Sequence, residues 1–318
     1  MDWIDSLLYP LQWVVAWILA IFHDIFTALG LPAANGWTWV LSIAGLTVVI
    51  RALLIPLFVY QIRAQRKMQL LQPEIQRLQA KYKGKKDQYS RQAMAEEQMA
   101  LFRDNKTSPW ASCLPLLVQM PIFFSLFRVI HNMQNVAEGK IDAIGGLTQE
   151  LAQQAEESSV FGVSLSATFM DPGITVKVLT AVLIIIMAAT MFITQKQMMA
   201  KNMSEAAMAN PMMQSQKMLL YIMPVVFGVG GIYFPLGVLF YWLVSNTWTM
   251  VQQHMVIRNM PAPGSKAEKE MLERKARKGK TVPSAEIKGS AQTTVEAPKP
   301  TGQRQQPVSK NRKKNKKR

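Results

Sequence analysis

No lysine or arginine occurs before Arg51, in a chain that holds 36 basic residues. A single cysteine, Cys113, excludes an internal disulfide and any multi-cysteine metal site. It lies in an apolar stretch and reads as a small packing residue. The three histidines, His23, His131 and His254, are scattered. They offer no metal-ligand spacing and no nucleophile–base pairing, so no cofactor, metal or catalytic residue is expected. Charge is scarce as well, at 18% of residues against 49% hydrophobic. Its uneven distribution excludes an ordinary soluble globular domain.

What is present is a set of long apolar runs separated by basic segments. Residues 37–60, 109–131, 174–195, 218–234 and 236–257 read as five membrane spans, and none contains Asp or Glu. The second carries Pro115 and Pro121, which membrane helices tolerate when neighbours re-satisfy the freed carbonyls. The last two, separated by little more than Pro235, must form a tight hairpin. Residues 1–36 hold the shorter run Leu11–Phe22 with Trp13 and Trp17, which suits an amphipathic helix on the outer face; a sixth span is the alternative. No basic n-region supports a removable signal peptide there.

The polar segment 61–108 spaces Met68, Leu71, Ile75, Leu78 and Tyr82 as one helical seam, breaks at Gly84 and resumes to Phe102. That predicts a helical hairpin with a charged tip. Residues 132–173, with one lysine and six acids, read as an extracytoplasmic loop without a folded domain, and 196–217 as a Met-rich loop. The segment 258–318 carries 18 basic and 5 acidic residues and reads as a disordered basic tail suited to phosphate backbone or anionic lipid. With the basic segments all on one side, the N-terminus is expected outside and the C-terminus in the cytoplasm. The expected fold class is an all-α polytopic membrane protein: five transmembrane helices around a cytoplasm-open hydrophilic groove, plus a cytoplasmic helical hairpin.

Arg51 lies ten residues inside the span 37–60, about 15 Å from its end by helix rise. An arginine at that depth costs about 3 kcal/mol on insertion scales and marks a functional site. With no acid in any span, the cheaper way to solvate it is a water-filled cavity lined by neutral polar groups. Thr47 sits one turn back on the same face. Gln119 and Thr249 fall at matching depth on two other spans, and Ser245 precedes Thr249 by one turn. These five residues form the candidate groove.

Three blocks, TVVIRALLIPL with the following MQLLQPEIQRLQAKY, NKTSPWASCLPLLVQMPIFFSLF, and FPLGVLFYWLVSNTWTMVQQHMVIR, carry a resemblance to the YidC family of membrane protein insertases, related to the mitochondrial Oxa and chloroplast Alb insertases. The resemblance covers roughly residues 37–258. It implies a positively charged groove, open to cytoplasm and lipid but closed outside, in which Arg51, Thr47 and Gln119 receive the polar tail of a nascent membrane protein. It implies further that Met120, Phe123 and Trp242 line the path along which an entering helix slides. Trp242 stands where many relatives carry tyrosine. The implied work is insertion and folding of membrane proteins in the bacterial plasma membrane, alone or with the Sec translocon. The expected partners are nascent membrane proteins, the ribosome through the basic tail, and anionic lipids, with no small-molecule substrate. The rival readings are a small anion transporter or channel using Arg51, and a membrane scaffold with a nucleic-acid-binding tail. The chain shows no internal repeat of the kind transporters carry.

Overall fold

The computed structural model describes residues 3–85, 87–108, 114–203 and 211–278. Within them, one helix begins where neither polar end of the first apolar run would suggest it. Helix α1 covers Trp3–Ala28, with Pro10 inside it. Gln12, Val15, Ala16, Leu19, Ala20 and His23 recur at helical spacing and are buried against α2 (Gly36–Leu53) and a later helix, α6 (Leu114–His131). An interfacial helix buries its apolar face in lipid; this one buries a stripe in protein. The polar end is held because His23 Nε2 meets the Ala33 carbonyl at 3.0 Å and the His23 ring lies 4.3 Å from that of Trp39.

The apolar run 37–60 is not one helix. Helix α2 ends at Leu53 and α3 (Ile55–Leu70) begins after Leu54, because Pro56 has no N–H to give the Ala52 carbonyl. Helix α3 then carries straight on into the polar segment. Helices α4 (Gln72–Lys81) and α5 (Gln88–Asp104) follow as an antiparallel pair, with Leu71 and Ile75 buried against Phe102 and with Met68 and Leu101 beside them. The turn between them uses Gly84 at φ +90° and ends at Asp87, whose side chain accepts from the Ser90 amide.

Among the described residues, three helices are long and apolar enough to cross a membrane: α1 over Ser6–Ala28, α2, and α9 (Ile174–Asn202). The apolar parts of α6 and α10 (Pro211–Gly231), at Leu117–His131 and Leu220–Gly231, are shorter. Of the expected five, only the first and third spans are in this set of three; α1 is added to it, and the segments 109–131, 218–234 and 236–257 are not in it. Helix α11 (Leu236–Asn259) packs against α9 and α2, and α10 packs against α9. Trp39, Leu46, Leu126, Ile130, Leu236 and Leu239, each almost wholly buried, form the centre of the bundle.

Two segments are more ordered than composition suggests. Residues 132–173 fold into α7 (Met133–Ala137), α8 (Gln149–Glu157) and a two-stranded antiparallel pair, β1 (Ser159–Val160) with β2 (Val163–Ser164). Val136, Leu147, Ala152, Ala155, Val160 and Leu165 join the main core, so this is a packed cap rather than a free loop. It also satisfies the start of α11: the Leu236 and Gly237 amides donate to the Ala167 and Leu165 carbonyls at 2.8 and 2.9 Å.

The second is the start of the tail. Residues 266–277 form α12 (Lys266–Arg277), capped by Ser265 and tied down by buried Ala267, Glu268 and Met271. The Ala262 amide donates to Asn202 Oδ1 at 2.7 Å, fixing the approach to α12 against the end of α9. The disorder expected from residue 258 onward is therefore corrected up to residue 278; the rest of the tail, 279–318, lies outside the described residues. So do Cys113 and Met208. The Met-rich segment 196–217 is not a loop at its start, since α9 reaches Asn202 with Met199 buried.

Candidate functional site: a buried arginine between two helices

Arg51 sits in the last turn of α2, 9% exposed, where that helix packs against α11. Its guanidinium donates to the hydroxyl of Ser245, itself 3% exposed. The Phe58 ring, across the Leu54 break, lies 5.7 Å from the guanidinium carbon. Seven residues are about two helical turns, and Leu54 keeps helical dihedrals (φ −85°, ψ −3°), so Phe58 stays on the face of Arg51. The Arg51 Nε has no hydrogen-bond partner, and no carboxylate lies within ion-pair distance of Arg51 among the described residues. The cation is held by a neutral hydroxyl and an aromatic face, and its donors are not used up.

One turn before Ser245, Tyr241 is 2% exposed, with its hydroxyl close to Ser245 and bonded to the Gln119 side-chain amide from α6. Gln119 Oε1 has no partner. A chain of neutral polar groups, Ser245, Tyr241 and Gln119, thus runs from Arg51 and links α2, α11 and α6. Thr47 and Thr249 are near but spend their hydroxyl protons on their own helices, on the Ile43 carbonyl at 2.7 Å and the Ser245 carbonyl at 2.9 Å. Their oxygens keep acceptor capacity, but neither hydrogen-bonds to Arg51. Tyr241 was not among the residues singled out by sequence. The signal for it was its position four residues before Ser245, on the same helical face.

The residues expected to line the sliding path are also brought together. The Phe123 and Trp242 rings stack at 5.0 Å between centroids and 27° between planes. Phe234 meets both edge-on, at 5.8 and 5.1 Å, and Phe227 meets Trp242 at 5.2 Å. Phe123 also lies 6.4 Å from Tyr241, so the aromatic cluster begins where the polar chain ends. Met120, one helical turn from Phe123, is 40% exposed. No grouping of three or more His, Cys, Asp or Glu side chains suited to a metal exists among the described residues.

A bundle of apolar helices enclosing an arginine that no described carboxylate neutralises, beside an aromatic wall, defines the class as a polytopic α-helical membrane protein. Residues 31–263 match the family model described as 60Kd inner membrane protein, and the chain belongs to that family. It is 44% identical over 284 residues to the membrane protein insertase YidC of Streptomyces avermitilis, covering 86% of this chain and 64% of that one. To the YidC insertase of Tropheryma whipplei strain Twist it is 40% identical, over 98% of this chain and 97% of the relative. A solved structure, an active YidC insertase with its first transmembrane domain resolved, matches over 80% of this chain and 47% of its own, at 23% identity and a TM-score of 0.46.

Proposed function

We propose that this chain inserts membrane proteins into the bacterial cell membrane, and that Arg51 with its polar neighbours receives the hydrophilic terminus of each client. One observation carries the reading: a buried cation bonded to a neutral hydroxyl, with no described carboxylate in reach. A permanently paired arginine has nothing left for a passing acidic tail. Arg51 has Nε free at one end of the polar chain, and Gln119 Oε1 is unpaired at the other. The tail is drawn to this level, so less polar surface crosses intact hydrocarbon. The hydrophobic segment behind it moves out along the Phe123–Trp242 face into lipid, driven by about 25 cal/mol per Å² of apolar surface buried. The membrane potential adds about 2.3 kcal/mol per negative charge per 100 mV in the outward direction.

In this reading the basic segments face the cytoplasm and the cap of residues 132–173 faces out. The groove opens toward the basic side. Residues 279–318, with their run KNRKKNKKR, engage ribosomal phosphate. The Sec translocon is an optional partner.

The test is insertion of a short acidic-tailed client in cells depleted of the wild-type protein and supplied with Arg51→Ala. Translocation of the acidic tail drops while a client with a neutral tail inserts. If the acidic client inserts as in wild type, the role given to Arg51 is wrong.

A further inference from the structure

A second cationic site lies away from Arg51, at the foot of α3. There Tyr60, Arg63 and Lys67 face Lys106, Thr107 and Ser108 across a cavity of about 320 Å³. Arg63 and Lys67 are one turn apart on one face of the helix. From Ile55 to Tyr60 helix α3 is apolar, and Arg63 is its first charge. The cavity therefore lies at the level where α3 leaves hydrocarbon, with Tyr60, 58% exposed, in the position of an interfacial aromatic.

The opposite wall is built at a backbone cost. Helix α5 ends with the Lys106 amide donating to the Arg103 carbonyl and the Thr107 amide donating to that of Phe102, at 3.0 and 2.9 Å. That is a Schellman turn, and its left-handed residue is usually glycine. Here it is Lys106, at φ +48°. The strained position supplies an ammonium to the cavity where glycine would supply none. Next to it, Thr107 Oγ1 is buried without a partner. Among the described residues no carboxylate lies within ion-pair distance of Arg63, Lys67 or Lys106.

Three unpaired cations and a buried hydroxyl without a partner, around a cavity of this size, fit a tetrahedral oxyanion. We propose that this cleft binds the phosphate of an anionic membrane lipid. A lipid is favoured over a polynucleotide because the cavity sits beside Tyr60 and directly below an apolar stretch, at headgroup level. Lipid bound there ties α3 to the segment that leads into α6, and so fixes the root of the α4–α5 hairpin. The proposal does not depend on Arg51 or on client insertion.

The full chain in a neutral detergent is titrated with short-chain phosphatidylglycerol, inorganic phosphate or a short RNA, and binding is followed by thermophoresis. Wild type binds the phosphatidylglycerol. Arg63→Gln with Lys67→Gln weakens that binding about thirtyfold and Lys106→Gly about fivefold, as expected for two charges and one at an anionic surface. Lys106→Gly relieves the backbone, so its melting temperature holds or rises while binding falls, which separates loss of the site from loss of the fold. Equal binding by wild type and both variants overturns the proposal. So does inorganic phosphate binding as tightly as the lipid, which would make this a free-phosphate site. RNA binding more tightly than lipid, and lost in the same variants, would make it a nucleic-acid contact and equally overturn it.

Discussion

Arg51 and Ser245 are 194 positions apart in the chain, yet the guanidinium of one donates to the hydroxyl of the other across the α2–α11 contact. The bond fixes the arginine's direction without neutralising it. A carboxylate in place of Ser245 would do the opposite. Side-chain hydrogen bonds within membranes couple by about 0.6 kcal/mol on average and rarely exceed about 1.7. A double-mutant cycle of Arg51→Gln and Ser245→Ala, read by thermal unfolding in detergent, is expected within that range. Ser245→Asp is expected to raise the melting temperature and depress insertion of acidic-tailed clients, because the cation becomes occupied. If Ser245→Asp inserts such clients at the wild-type rate, the free state of the charge is irrelevant.

The cap and α2 meet backbone to backbone at Gly36, where an added Cβ would lie 2.3 Å from the Ser159 carbonyl oxygen. Nothing flexible is there to yield. Gly36→Ala is expected to push β1 off α2 and cost about 2–3 kcal/mol, in the range of core overpacking. Gly228→Ala is the control, since its nearest neighbour, Ile184 Cγ2, would be at an ordinary 3.9 Å. Thermal unfolding of the two variants side by side checks this: a large drop for the first and little change for the second.

Much of the site was legible because its residues obey helix arithmetic. Thr249 was matched to Arg51 by depth and Ser245 to Thr249 by helical spacing, and it is Ser245 that touches Arg51. Thr47 and Thr249 passed the same arithmetic, but depth cannot say where a hydroxyl proton goes, and both protons stay on their own helix. The break at Leu54 was written in Pro56, yet an apolar run long enough to span invited reading through it. The cap was hidden for a different reason. Its order comes from distant partners, such as Gly145 against the Trp13 backbone and Gly36 against Ser159, which no local pattern reveals. Helix α12 was masked by its own charge: of KAEKEMLERKAR only Ala267, Glu268 and Met271 are buried.

Phe123 and Trp242 test the aromatic wall. Trp242→Ala removes a ring that touches Phe123, Phe227 and Phe234 at once. The expected loss is about 3 kcal/mol, with Trp242→Tyr losing less than about 1.5, because the edge-on contacts survive in part. Melting temperatures in detergent report the difference. Equal losses for the two substitutions would mean that the ring packs by volume and not by aromatic geometry.

Outside the membrane, the α4–α5 hairpin carries a titratable latch. Lys81 Nζ meets both Glu97 oxygens, at 2.7 and 2.8 Å, and the Tyr82 hydroxyl donates to the first at 2.7 Å. These bonds hold the Glu97 carboxyl below its ordinary value of 4.5, and Glu97 in turn holds the Lys81 ammonium above its ordinary 10.5. A depressed carboxyl contributes stability that is present above its unfolded value and lost as pH falls through the folded one. A raised ammonium contributes stability that is present below its unfolded value and lost as pH climbs through the folded one. The latch is therefore closed across the whole neutral range and opens at both extremes, the acid limb lying below pH 4.5. Spin labels at Ala80→Cys and Glu96→Cys, with Cys113→Ser in the background, should show one narrow distance near neutrality that broadens in acid. In Glu97→Gln the distribution should already be broad near neutrality and change little on acidification. Broadening of wild type and Glu97→Gln together, at the same acid pH, would place the transition elsewhere in the hairpin and discard the latch.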